Sequence, residues 1–311
     1  VIKLIPRANG TFYKEVVFTK TMNGVSLRDQ CDFLRELIHI KFPSTMKLVI
    51  DAQSKVQVGT IKAYKLLRKR GIPFLIYVNK MDKDYPDYEE ILENIYLKLG
   101  KMCIPFTLPL GHSDKFDGFI NCVDLKARRY TGTECVDDVI YDDKKAKVFE
   151  FHNRICEAVA VTDDSLLEKF FGGEALTHDE IHNGLRQGVL NGEIYPIIFG
   201  SAQNDIGIHT LLSMLIDYLP SPSDLKPYIG VDDEGKDVTR KTLSAEPFSG
   251  YIFKTLIDPY LGQINYMKVD SGVLKVGQEV YCPNLNKNLK ISSILSVCGK
   301  NMNAIDEVGA G

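Results

Sequence analysis

Asn79-Lys80-Met81-Asp82 stands directly behind the apolar run Phe74-Leu75-Ile76-Tyr77-Val78. Open α/β sheets take their ligands beyond the carboxyl ends of the strands, which is where this tetrapeptide falls. An ionised carboxylate only accepts hydrogen bonds. Fixed at Asp82, it accepts two in parallel, and the edge of guanine that carries N1–H and the exocyclic amine matches it. Adenine turns an acceptor to the same carboxylate, and the unpaired charge rejects it. The stem of Lys80 can lie along the base plane, and the amide of Asn79 can tie adjoining loops together. Ser201-Ala202-Gln203 follows a second apolar run, Ile194 to Gly200. Small side chains there let the backbone approach a ligand, with an N–H aimed at the carbonyl oxygen of the base. The two loops together specify a guanine site better than either alone. Asn79, Lys80, Asp82, Ser201 and Ala202 are therefore the candidate base-binding residues, and no catalytic residue is identified.

Other reactive residue types carry less. His178 and His182 stand four apart on a predicted helix, the spacing of a two-histidine zinc pair. The sequence shows no third ligand beside them, so they read as solvated histidines near a helix cap, and no metal site is assigned. The seven cysteines include Cys31 and Cys135, are scattered, and never form a Cys-x-x-Cys pair. That pattern argues against a disulfide framework and a zinc ribbon and suits a reducing cytosol. Cys103, Cys122 and Cys156 read as small buried hydrophobes. Lys65, Arg68, Lys69 and Arg70 read as a solvated helix face with favourable dipole placement, or as a surface for an acidic partner.

The elements that must hold these loops follow from pattern. Leu48 to Ala52 is a short apolar run, and a helix carrying Ile61, Leu66 and Leu67 ends at Lys69-Arg70-Gly71, a cationic last turn with glycine after it. Phe74 to Val78, unbroken by a polar residue, predicts a strand buried on both faces of a parallel sheet. Asp87 and Glu90 predict a capping box for a helix with Ile91, Ile95 and Leu99, closed by Gly100. Strand, helix, strand, helix gives an α/β doubly wound sheet.

From Ile104 to Gly192 the rhythm changes to alternating segments such as Phe119 to Val123 and charged helices, with a second capping box at Thr177 and Glu180. This predicts an α+β insertion. Ile194 to Gly200 resumes the sheet, and a helix from Ile208 to Leu219 stops at Pro220. Pro220-Ser221-Pro222-Ser223 and the polar stretch Asp232 to Lys241 read as a linker. Tyr251 to Ile257, Gln263 to Asp270, Glu279 to Cys282 and Lys290 to Val297 predict short strands of a barrel or sandwich.

A chain of 311 residues predicts two domains, and its charged and apolar fractions are those of a soluble globular protein. No apolar run is long enough to span a bilayer, so no membrane partner is expected. The net charge of −3 gives no general attraction to nucleic acid, and any RNA contact must be local. Val1 is neither an initiator methionine nor the start of a leader, so a piece of a longer chain is expected.

Taken in order and spacing, Lys80-Met81-Asp82, Pro105-Phe106-Thr107-Leu108-Pro109-Leu110-Gly111, Gly200-Ser201-Ala202, Asp217-Tyr218-Leu219-Pro220-Ser221-Pro222, Asp258-Pro259-Tyr260-Leu261-Gly262 and Ser271-Gly272-Val273-Leu274-Lys275 resemble the elongation factor G family of translational GTPases. The similarity runs from Leu48 to Gly311. It implies an α/β fold: a P-loop-type doubly wound parallel sheet with an inserted α+β subdomain, followed by a partial β-barrel. The implied domains are 1–103 (first part of the G domain, phosphate loop missing), 104–192 (the insertion), 193–222 (second part of the G domain), 223–246 (linker) and 247–311 (incomplete domain II). The resemblance further implies GTP/GDP as ligand and a cytoplasmic monomer. Its partner would be the ribosome, both RNA and proteins, with no DNA. Its role would be translocation during protein synthesis. Lys287 and Lys290, in a turn of the barrel, would touch ribosomal RNA phosphates.

The chain departs from that family in its phosphate half. No Gly-x-x-x-x-Gly-Lys-Ser/Thr run is present, and the family's magnesium-binding threonine has no counterpart, so Mg2+ belongs to the family site without a ligand identified here. Asn9 to Phe18 resembles the strand before switch II, but Lys20-Thr21-Met22-Asn23-Gly24 stands where the family has Asp-Thr-Pro-Gly-His. The alternative reading is thus a catalytically inactive ribosome-binding or regulatory paralogue that keeps the fold.

Overall fold

The computed structural model describes residues 2–6, 12–16, 46–85, 87–131, 134–224, 226–231, 236–258, 262–298 and 301–311. Lys20 to Gly24, Cys31 and Pro259-Tyr260-Leu261 lie outside the described residues. Two compact units emerge, Phe18–Leu219 and Pro220–Gly311 together with Val1–Val17. Strands β1 (Ile2–Pro6) and β2 (Phe12–Val16) form an antiparallel hairpin. β1 belongs to the same unit as Pro220–Gly311 and approaches the strand at Ile294–Cys298.

The larger unit is built on a parallel sheet. Its strands β3 (Met46–Asp51), β4 (Phe74–Asn79), β5 (Cys103–Pro105) and β10 (Tyr195–Phe199) lie in the order β3-β4-β10-β5. Every β4–β10, β3–β4 and β10–β5 pairing is parallel, as expected for crossovers through helices. Phe74, Leu75, Ile76, Val78, Ile197, Ile198 and Phe199 are fully buried, so β4 and β10 are the core of the layer. Helix α1 (Val58–Arg70) links β3 to β4. It stops because Gly71 takes φ 62°, where a Cβ is strained, and the amides of Gly71 and Ile72 close on Arg68 and Leu67. Lys65, Arg68, Lys69 and Arg70 are exposed along it.

Helix α2 (Tyr88–Leu99) buries Ile91, Leu92, Ile95 and Leu99, a 3.6-residue stripe. Its predicted capping box is only half formed. Asp87 accepts from the Glu89 amide, but the Glu90 carboxylate turns away to pair with Lys55.

The insertion carries an antiparallel sheet of β6 (Thr107–Leu110), β7 (Gly118–Asn121), β8 (Lys126–Thr131) and β9 (Glu134–Asp138) in that order. Helices α3 (Asp142–Ala160), α4 (Asp164–Phe171) and α5 (His178–Asn191) follow. At the start of α5 the Glu180 amide donates to Thr177 Oγ1 and the Thr177 amide donates back to Glu180, the full capping box. The Lys169 ammonium and the Thr177 amide and hydroxyl hold the Glu180 carboxyl down to about 2. β10 then returns the chain between β4 and β5, and α6 (Ile208–Tyr218) follows it.

In the smaller unit, β11 (Tyr228–Val231) pairs with β12 (Asp237–Arg240) inside the segment expected to be linker. Beside that ladder Lys268 donates to Tyr228 Oη at 2.7 Å. β13 (Ser249–Asp258) and β14 (Gly262–Ser271) form a long bulged hairpin. β15 (Val273–Lys275), β16 (Glu279–Cys282), β17 (Lys287–Lys290), β18 (Ile294–Cys298), β19 (Asn301–Ile305) and β20 (Glu307–Gly309) pair as β15–β20, β16–β17 and β18–β19. The strand expected over Lys290 to Val297 is therefore two strands. Its first residue closes the hairpin with Glu279, and its later residues pair with β19. Lys287 and Lys290 are exposed on β17.

Among the described residues, no helix is long and apolar enough to cross a membrane. Cys103, Cys122 and Cys156 are buried free thiols, and burial pushes the first two up to about 12.

Candidate functional site

Three adjacent strands end at the same edge of the sheet. Asp51 of β3 is opposite Asn79 of β4, and Phe199 of β10 is opposite Val78. Past that edge the loops after β4 and β10 are stitched together. The Gly200 amide donates to Val78 O at 3.0 Å, and the Met81 amide donates to Gly200 O at 3.2 Å. Met81 is fully buried and plugs the first loop into the core, which leaves Asn79, Lys80 and Asp82 on its outer side. Lys80 reaches that position through a left-handed turn at φ 68°.

The side chains complete the stitching. Ser201 Oγ donates to Asp82 Oδ1 at 2.5 Å, and the Ala202 amide donates to Asn79 Oδ1 at 2.9 Å. All five residues singled out in the sequence thus meet within one loop pair. The Asn79 amide ties the two loops, as its type suggests. The Ala202 N–H, which the sequence aims at a base oxygen, is already engaged by Asn79. Lys80 Nζ makes an ion pair with Asp51 Oδ2 at 2.6 Å, which pins the far end of its stem.

Both acids stay ionised. Burial works to raise the Asp82 carboxyl, but the Ser201 hydroxyl, Lys83 and its own amide outweigh it and hold it below the usual carboxylate range. Burial likewise works to raise Asp51, while Lys80 and the amides of Gln53 and Ser54 bring it below that range. The Asp82 side chain is only 7% exposed, with Lys83 Nζ at 3.3 Å, so it is a rigid, charged acceptor.

Two residues that position this site were missed in the sequence. Asp51 had a readable signal, an acid closing the apolar run Leu48-Val49-Ile50 at a strand end. Tyr77 had none. Its hydroxyl is buried beneath the second loop without a hydrogen-bond partner among the described residues, and a Cβ on Gly200 would stand 2.4 Å from it. Gly200 is therefore there because the backbone passes over a ring.

Comparison with known proteins gives the same frame. The family model described as Elongation factor Tu GTP binding domain matches residues 32–221, more than half of the chain, and that of Elongation factor G domain 2 matches residues 247–311. Proteins named Elongation factor G from Ureaplasma urealyticum serovar 10 and Ureaplasma parvum serovar 3 are each 33% identical over 266 residues, 85% of this chain and 39% of the relative. The chain thus spans well under half the length of these relatives. A crystal structure of a protein from Thermus thermophilus superposes with a TM-score of 0.78 at 24% identity, covering 100% of this chain and 42% of that one, a likeness of fold.

Proposed function

This chain belongs to the elongation factor G-type translational GTPases, and we propose that the loops after β4 and β10 hold the guanine base of GTP and GDP. The observation that carries this reading is the convergence of Asp82, Asn79, Ser201 and Ala202 at neighbouring strand ends. Asp82 offers two acceptor oxygens, one braced by Ser201, to the N1–H and amine of guanine. Lys80, pinned by Asp51, lies along the base. The Ala202 N–H is shared between Asn79 Oδ1 and the base oxygen. Bound nucleotide supplies the phosphates on which GTPase chemistry occurs, and no magnesium ligand is assigned.

In the parent protein, nucleotide binding is coupled to action on the ribosome in the cytoplasm, with translocation as the role. Lys287 and Lys290, exposed on β17, contribute phosphate contacts to ribosomal RNA. The test is a calorimetric titration of the chain with GDP and ADP, alongside Asp82→Asn. Asparagine keeps one acceptor and turns a donor to guanine in place of the other; hydrogen bonds to a charged acceptor contribute about 1.5–3 kcal/mol each, so GDP weakens roughly tenfold or more. Equal affinity for GDP and ADP, or indifference to Asp82→Asn, rejects the base-site reading. Ribosome-stimulated GTP turnover by the parent protein, or its absence, decides the ribosomal part separately.

A further inference from the structure

Away from the nucleotide loops, three donors converge where the insertion meets α6. His178 and His182 lie one turn apart at the start of α5, with ring centroids 4.2 Å apart. Asp124, in the turn between β7 and β8, lies 54 residues before the first of them. Its Oδ1 is 3.2 Å from His178 Nε2 and 2.9 Å from His182 Nε2. All three ligand atoms lie within 4.8 Å of one another. Donors each about 2.0–2.1 Å from a tetrahedral ion stand roughly 3.3 Å apart, so this spacing suits an ion between them. We propose that Asp124, His178 and His182 form a zinc-class divalent metal site that braces the insertion against α6.

The groups behind the donors are those a metal site needs. Asn121 Nδ2 donates to Asp124 Oδ2 at 2.8 Å, which fixes the carboxylate and leaves Oδ1 directed at the imidazoles. Tyr218 Oη, from α6, lies 2.9 Å from His182 Nδ1. Without metal, His182 Nε2–H donates to Asp124 and its Nδ1 accepts from Tyr218. With metal, Nε2 gives its lone pair to the ion, and Nδ1–H donates to Tyr218 Oη. The tautomer reverses while the ring stays in place, and such partners of ligating histidines sustain affinity. Two imidazoles and a carboxylate are the donor set of zinc and its neighbours rather than of magnesium or calcium, which take oxygen. Asp124 and His182 line a cavity of about 150 Å³ together with Asp217 and His209. The donors come from the insertion and their support from α6, so the ion clamps one to the other.

Zinc chloride alone, titrated calorimetrically into the full chain at neutral pH, tests this. The expected result is one tight site, lost in His182→Gln and in Asp124→Asn, and weakened about 10–100-fold in Tyr218→Phe. His178 has a side chain 69% exposed, so His178→Gln keeps the fold and reports on ligation alone. Zinc is expected to slow hydrogen exchange of the α5 amides in the unsubstituted chain and not in His178→Gln. Cobalt(II) in place of zinc gives tetrahedral visible bands without sulfur-to-metal charge transfer. No zinc binding, binding that survives all three ligand substitutions, or a cobalt spectrum with thiolate bands overturns the site.

Discussion

The close passage of Gly200 over Tyr77 can be tested by adding a single methyl group. A Cβ at position 200 stands 2.4 Å from Tyr77 Oη and 2.6 Å from the Ile206 carbonyl oxygen. Both lie far inside van der Waals contact, so Gly200→Ala must displace the ring or the β10 loop. Overpacking of this kind costs about 1–3 kcal/mol. Alanine also narrows the unfolded chain, which offsets about 0.4–1 kcal/mol. The net expectation is a loss of about 1–2 kcal/mol. Tyr77→Phe deletes a buried hydroxyl that has no hydrogen-bond partner among the described residues, so alone it is neutral or stabilising. Combined with Gly200→Ala it removes the 2.4 Å clash and leaves those with the Ile206 carbonyl oxygen and, at 3.0 Å, with the ring's Cε2, so part of the loss returns.

With two compact units a single unfolding transition is not assured, so the assay is native-state hydrogen exchange on the amides of β4 and β10. Position 200 tolerating alanine without cost refutes the account of the loop. So does an identical cost with tyrosine or phenylalanine at 77.

Three further outcomes follow from charge and geometry. Asp51 has its pKa lowered from 3.8, so its pairing with Lys80 stabilises fully above that value and is lost as pH falls through the folded value. Asp51→Asn therefore flattens the acid limb of a stability–pH curve, and an unchanged limb contradicts the pairing. Glu180 is expected to titrate at about 2 by carboxyl NMR, with its cap on α5 lost only as pH falls to that value. Lys169→Met moves that titration upward, while no movement assigns the effect to Thr177 alone. Thr177→Ala costs about 1 kcal/mol in the exchange stability of the first turn of α5, and no change there rejects the capping box as a brace for that helix.

Much of the core was legible because buried parallel strands leave an unbroken apolar signature. Phe74 to Val78 and Ile194 to Gly200 announced β4 and β10, and the loops behind them carry the five candidate residues. Residue type also told what Asn79 does, since an amide after a strand end reaches a neighbouring loop. What escaped was set by distance in the chain. Nothing near Glu90 in sequence says that Lys55 will take its carboxylate in place of the helix cap. Nothing near His178 points to Asp124, because the turn that carries it reaches α5 only once the insertion sheet has formed. In the smaller unit, short polar strands such as Asp237–Arg240 carry little hydrophobic period, so the β11–β12 ladder was not legible. The break between β17 and β18 was hidden for a related reason: β propensity runs on through Lys290 to Val297, and only partner choice divides it.

The central claim is that the β4 and β10 loops enclose a guanine base, and a crystal structure of the chain with GDP measures it most directly. The account predicts Asp82 carboxylate oxygens about 2.7–3.2 Å from guanine N1 and the exocyclic amine, with the base over the stem of Lys80 and its oxygen at the Ala202 amide. A base bound elsewhere, or an Asp82 that keeps only Ser201 and Lys83 as partners while nucleotide is bound, contradicts it.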